Sequence, residues 1–213
     1  MKYINGILRR MRVLFIGYSL TYYAPGDGGA VLHDLPGALE RAAPGWRCGR
    51  VARHGASLEE HRHDARVAQE LRPGRWDYVV LQENTERALS HEAATRGDAL
   101  WFDARIKAAG ARTALFSTWA PRDRPEVAAR LSGLCGRLAA ELGALLVPVG
   151  DAWRRAAAAR PGLALYLEDG FHPAPLGSYL SACVFTRSLS GTLAELPGDE
   201  ERAFLRQVAR QAA

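Results

Sequence analysis

Five short apolar runs punctuate the chain, and the stretches between them carry apolar residues every three or four positions. Val13-Leu14-Phe15-Ile16 is apolar without alternation, the pattern of a strand buried on both faces of a parallel sheet, and predicts a first strand over 12–17. Leu32 to Ala43 has helical spacing, with Leu32, Leu35, Leu39 and Ala42 on one face and Pro36 in the first turn. Trp46 to Ala52 reads as the second strand. Ser57-Leu58-Glu59-Glu60 is a capping box, opening a helix expected to run to about Leu71 and stop at Pro73-Gly74. Trp76 to Gln82 is the third and most apolar strand, with a polar loop, Glu83 to Ser90, expected after it. His91 to Ala109 reads as a helix closed by Gly110, and Thr113 to Ser117 as the fourth strand. Pro125 opens an Ala/Leu-rich helix that ends at Gly143, and Ala144 to Val149 is the fifth strand. Asp151 is expected to cap a short helix over 152–159. A loop from Gly162 to Pro175 precedes a helix over Leu176–Ser190, and Glu200–Ala213 forms a terminal amphipathic helix.

Strand and helix alternate, so the fold class is α/β: a three-layer α/β/α sandwich of about five parallel strands with helices on both faces. With 213 residues the chain can bury one full core. It shows no repeat, low-complexity segment or interdomain linker. A single domain over residues 11–213 is expected after a short extended leader, 1–10. That leader lacks the roughly 7–15-residue apolar run of a signal peptide, and no stretch approaches the ~20 apolar residues of a membrane span. A cytoplasmic protein is therefore expected.

Charge and cysteine content narrow the chemistry. The net charge is +5, and three of those charges sit in the leader at Lys2, Arg9 and Arg10. The other basic residues are interspersed with acidic ones, so no clustered patch for nucleic acid is expected. Cys48, Cys135 and Cys183 are far apart in sequence, which suggests free thiols rather than disulfides or a zinc knuckle. His61 and His63 stand two residues apart on a helix and point to different faces, so no metal site is expected there. Gly26-Asp27-Gly28-Gly29 lacks the Lys-Ser/Thr of a phosphate loop and the spacing of a dinucleotide fingerprint. It reads as a loop near the site, and no cofactor is expected.

Two segments carry candidate chemistry. Gly17-Tyr18-Ser19-Leu20-Thr21 lies just beyond the carboxyl end of the first strand, where open α/β sheets bind ligands. A hydroxyl there is either a nucleophile or a helix cap. Asp169-Gly170-Phe171-His172-Pro173 precedes the last long helix. An Asp and a His three residues apart can meet on one tight turn, the carboxylate accepting from Nδ1–H and leaving Nε2 free as a base. Alternatively, His172 simply packs beneath a loop. With Ser19, the pair would complete a hydrolytic triad.

These two segments resemble the first and last motif blocks of the SGNH, or GDSL-like, hydrolases, and the likeness spans almost the whole domain. It implies a flavodoxin-like sandwich with strand order 2-1-3-4-5 and metal-free hydrolysis of esters, thioesters or acetylated sugars. Ser19 would be the nucleophile, His172 the base and Asp169 its orienter. The family's second block offers a glycine N–H after the second strand; His54-Gly55-Ala56-Ser57-Leu58 matches it, making Gly55 an oxyanion-hole donor beside the Ser19 N–H. A plain turn before a capped helix is the alternative for Gly55. The third block, Gly-x-Asn-Asp, matches Leu81-Gln82-Glu83-Asn84-Thr85 only in part, because the Gly and Asp are missing. Either Gln82 or Asn84 could supply the side-chain amide; Gln82 is favoured, since a buried amide at a strand end demands a partner. Tyr18 stands where many relatives carry Asp. Tyr18, Tyr22, Tyr23 and Trp119 are candidate pocket walls, with aromatic packing in the core as the alternative.

The expected function is a serine hydrolase of carboxylic esters working through an acyl-enzyme, acting on O-acetyl-sugars or small acyl esters. Its expected partner is a small-molecule ester substrate. Rival readings are a lipase- or thioesterase-type acyl hydrolase, a non-catalytic binding module on the same fold, and a flavodoxin-like mononucleotide binder.

Overall fold

The structure is a computed structural model that describes residues 3–4, 7–8, 10–25, 30–193 and 199–212. Five parallel strands form its central sheet: β1 (Arg12–Gly17), β2 (Arg47–Ala52), β3 (Tyr78–Leu81), β4 (Arg112–Phe116) and β5 (Leu145–Val147). Their spatial order is β2-β1-β3-β4-β5, as the family resemblance implied. β1 is an interior strand and pairs in parallel with both neighbours, Ile16 standing opposite Val51 and Leu81. Its four apolar side chains are all fully buried, and they alternate between two cores because successive strand residues point to opposite faces. Val13 and Phe15 pack with α1 (Leu35–Ala42), α7 (Val149–Ala159), α8 (Pro175–Ser190) and α9 (Glu200–Ala212). Leu14 and Ile16 pack with α2 (Leu58–Arg62), α3 (Ala65–Glu70), α4 (Thr85–Ser90), α5 (Glu92–Ala108) and α6 (Ala128–Leu142).

Four local expectations change. The helix expected from Leu32 starts at Leu35, because Asp34 caps it by accepting from the Gly37 N–H. His33 and Asp34 instead pair antiparallel with Tyr22–Tyr23. The helix expected from Ser57 to Leu71 is two helices. The Ser57 capping box opens α2, and Asp64 caps α3 by accepting from the Arg66 N–H. The loop expected over Glu83–Ser90 is largely helical. Its buried face holds only Thr85 and Ala88, so it lacks an apolar stripe. Asp151 does not cap α7, which begins at Val149; its carboxylate lies inside the first turn and accepts from the Ser132 hydroxyl at 3.0 Å.

In the leader, Tyr3–Ile4 pairs antiparallel with Ile7–Leu8; its remaining residues 1–2, 5–6 and 9 lie outside the described residues, as does Gly26-Asp27-Gly28-Gly29. The three cysteines are free, and burial pushes the Cys183 thiol up to about 11. Among the described residues no helix is long and apolar enough to cross a membrane, and no group of three His, Cys, Asp or Glu could hold a metal ion.

Candidate active site

Three strand ends and one distant loop converge at the carboxyl edge of the sheet. The chain leaves β1 at Gly17 and turns at once, Thr21 N–H donating to Tyr18 O at 2.8 Å. Gly17 is required by close approach: a Cβ there would stand 2.5 Å from Gln82 Oε1. Ser19 follows, 1% exposed. The distant loop is shaped by its own carboxylate, since Asp169 Oδ1 accepts the N–H groups of Phe171 and His172, each at 2.9 Å. That local turn leaves Asp169 Oδ2 2.7 Å from His172 Nδ1. The opposite ring nitrogen, Nε2, lies 2.9 Å from Ser19 Oγ. One consistent proton arrangement follows: the Ser19 hydroxyl donates to Nε2, and Nδ1–H donates to Asp169. Burial works against the Asp169 charge, but the bonds from the His172 ring and from the two N–H groups outweigh it and hold the carboxyl below its ordinary value.

The His172 loop is braced from two sides. Trp119 is 1% exposed, stacks on Trp153 at 3.8 Å and donates its indole N–H to Phe171 O at 2.9 Å. It therefore supports the loop from the core and is not the pocket wall expected from sequence. Tyr23 lies flat on the His172 ring, 3.7 Å away and within 4° of parallel, with His54 6.0 Å from His172 alongside. Nothing in the sequence marks Tyr23 above its neighbours; only its nearness to Ser19 offered a signal. Tyr22 turns away and packs under the Arg50 guanidinium, 3.7 Å from the ring centroid.

The turn that carries Ser19 is held by three buried polar side chains. Gln82, fully buried, accepts from the Tyr18 N–H at 3.1 Å and the Thr21 hydroxyl at 2.7 Å. His61 donates from Nε2 to Gly17 O at 2.7 Å, and the exposed His63 does not share its surroundings. His33 donates from Nε2 to Leu20 O at 2.8 Å and accepts from the Ser178 hydroxyl at 2.7 Å. None of the three was assigned this role from sequence, because their partners, backbone groups and two hydroxyls, are brought close only by the fold.

His33 carries a testable consequence. Burial lowers its pKa to about 4, whereas the unfolded chain takes up that proton near an ordinary 6.5. The group's contribution to stability is therefore complete above about pH 6.5. It is lost as pH falls towards 4, by about 3 kcal/mol in all. Urea unfolding midpoints are expected to drop between about pH 7.5 and 4.5, and His33→Gln to make that drop shallower. An equal drop in the two proteins would contradict a neutral buried His33.

Ser19 opens into a cleft of about 370 Å³ lined by Tyr18, His54, Gly55, Asn84, Thr85, Glu86, Pro121, Asp123, Arg124, Asp169 and Phe171. Tyr18 is nonetheless almost fully buried, with its hydroxyl 2.6 Å from Thr85 Oγ1. Gly55 takes a positive φ of 69° with open space where a Cβ would stand. Among the described residues, the N–H groups of Ser19 and Gly55 donate to no protein acceptor. Asn84 Oδ1 caps α4 through Glu86 and Arg87, while its Nδ2 donates one bond to Gly55 O at 3.0 Å. An amide NH₂ has a second hydrogen to give. Gln82, favoured from sequence, does not line the cleft and spends its carbonyl beneath the turn.

No protein-family model and no curated protein matches the chain, but solved structures do. A protein from Slackia heliotrinireducens assigned to the SGNH hydrolases superposes with TM-score 0.70 and 29% identity, over 85% of this chain and all of the other. An acetyl xylan esterase from Geobacillus stearothermophilus gives TM-score 0.62 at 18% identity, over 87% and 97%. A lipase/acylhydrolase from Enterococcus faecalis gives 0.60 at 14%, over 88% and 100%. The last two speak for the fold alone. In sheet order, and in its 29% identity to the Slackia protein, the chain is similar to the SGNH/GDSL-like hydrolases.

Proposed function

We propose that the protein is a serine esterase that cleaves short acyl groups, such as acetyl, from polar alcohols, sugars included. The observation that carries this reading is the hydrogen-bonded chain Ser19–His172–Asp169, with its 2.9 and 2.7 Å links. His172 Nε2 takes the Ser19 proton as Oγ attacks the ester carbonyl, then returns it to the departing alcohol. The acyl group rests on Oγ until a water, deprotonated by the same nitrogen, releases it as the acid. Asp169 keeps the proton on Nδ1 and balances the imidazolium. The N–H groups of Ser19 and Gly55 and the second hydrogen of the Asn84 amide receive the negative charge that develops on the carbonyl oxygen.

Two features favour a short acyl group. The cleft, at about 370 Å³, is at the small end of drug-sized sites, and the charged side chains of Asp169, Glu86, Asp123 and Arg124 stand in its lining. A long alkyl chain gains about 0.8 kcal/mol per methylene only if each is buried against apolar atoms. Hydrolysis of p-nitrophenyl esters is therefore expected to be fastest for acetate and to fall steadily through butyrate and octanoate, with acetylated xylo-oligosaccharides also deacetylated. Octanoate turned over faster than acetate would favour a lipase- or thioesterase-type enzyme. Failure to hydrolyse any ester would leave a binding module on this fold.

A further inference from the structure

We infer that Glu83 is a positioning residue that ties both non-nucleophile loops of the oxyanion hole to one buried carboxylate. The inference rests on the esterase reading above. The Glu83 side chain is only 7% exposed. Its Oε1 accepts the Asn84 N–H at 2.7 Å and the Leu58 N–H at 3.1 Å. Asn84 is the residue proposed to give its amide; Leu58 is the first residue of α2, three positions beyond Gly55. The Asn84 amide closes the circuit by donating to Gly55 O at 3.0 Å. This short ring of bonds links the loops after β2 and β3 beside the reacting oxygen.

The carboxylate can stay charged because it is fully partnered. Its Oε2 accepts from Arg87 at 2.8 Å and from the Thr95 hydroxyl at 3.4 Å. Arg87, on α4, also pairs with Asp98 of α5 at 2.8 Å and Glu59 of α2 at 2.7 Å, and Asp98 pairs with Arg62 at 2.8 Å. Those are the charged groups packed around Glu83. A charge-assisted bond to a backbone N–H is stronger and shorter than a neutral one. Two such bonds on a single oxygen therefore hold both loops more tightly than an amide would. Donors that hold their place before the charge appears stabilise the transition state without stabilising the bound ester equally.

The test variant is Glu83→Gln, which keeps the shape and removes the charge. Arg87 retains Asp98 and Glu59, so the cation is not stranded and folding is expected to survive. For p-nitrophenyl acetate, kcat is expected to fall about 10- to 100-fold with KM within about twofold. Glu83→Gln/Asn84→Ala is expected to be slower than Asn84→Ala alone, but by less than the factor Glu83→Gln costs by itself, because Glu83 acts partly through that donor and partly through the Gly55 loop. Effects that multiply instead, or an unchanged kcat, would overturn the inference. A second measurement needs no variant. In the wild-type protein the amide proton resonances of Leu58 and Asn84 are expected to titrate together with one carboxylate midpoint above the ordinary Glu value, since burial raises the Glu83 pKa despite its partners. Separate midpoints, or none, would refute the shared carboxylate even if Glu83→Gln did not fold. An active wild-type enzyme failing these tests loses only the role of Glu83. A wild-type chain that cleaves no ester loses the esterase reading, and the amide titration then still decides the bridge.

Discussion

Ser19→Ala is expected to reduce kcat/KM for p-nitrophenyl acetate about 10⁵-fold, equivalent to ~7 kcal/mol of transition-state stabilisation. His172→Ala should cost a similar factor, and the double variant hardly more than either alone. The reason is geometric. Ser19 Oγ and His172 Nε2 are 2.9 Å apart and act as one unit: without the base the hydroxyl stays protonated, and without the hydroxyl the base has nothing to activate. What survives is catalysis by the oxyanion donors and substrate binding alone. Because Ser19 is 1% exposed and small, its loss should leave the melting temperature nearly unchanged, which separates a chemical effect from unfolding. Labelling by a fluorophosphonate reagent should vanish in Ser19→Ala. Retained labelling, or rates within a few-fold of wild type, would move the chemistry to another residue.

The second large effect is expected from Asp169→Asn, at about 10³-fold or more in kcat. The carboxylate has two tasks on two oxygens. Oδ1 shapes the turn by accepting the Phe171 and His172 N–H groups, and Oδ2 accepts Nδ1–H. An asparagine can keep its carbonyl oxygen on the two N–H groups, which preserves the turn. Its NH₂ then faces Nδ1 and donates where the carboxylate accepted. That favours the tautomer with the proton on Nε2, the atom that must be empty to receive the Ser19 proton. The fold is expected to survive, because Trp119 braces the loop and Tyr23 holds the ring. A kcat within tenfold of wild type would mean that these braces alone orient the imidazole.

Much of this was legible in the sequence, and particular residues show why. Continuous apolar runs mark strands buried on both faces, so β1 and β3 could be read from Val13–Ile16 and Tyr78–Leu81. The turn that joins Asp169 to His172 is local, three residues long and built from its own carboxylate, so it too could be read directly. Elements whose buried face is small or mixed were misread. α4 buries only Thr85 and Ala88 and reads as a loop, and Asp64 starts a second helix where the periodicity suggested one.

The sequence by itself determined the α/β class, the strands that make up the sheet, and the serine, histidine and aspartate able to form a triad, because these depend on periodicity and on spacing within one segment. Only the tertiary structure decided which amide faces the cleft, that Trp119 lies in the core and Tyr23 on the imidazole, and that Glu83 joins two loops. Each of those depends on where a side chain points once strands from distant parts of the chain lie side by side. A pattern along one segment records how buried a residue is, but not which neighbour it meets.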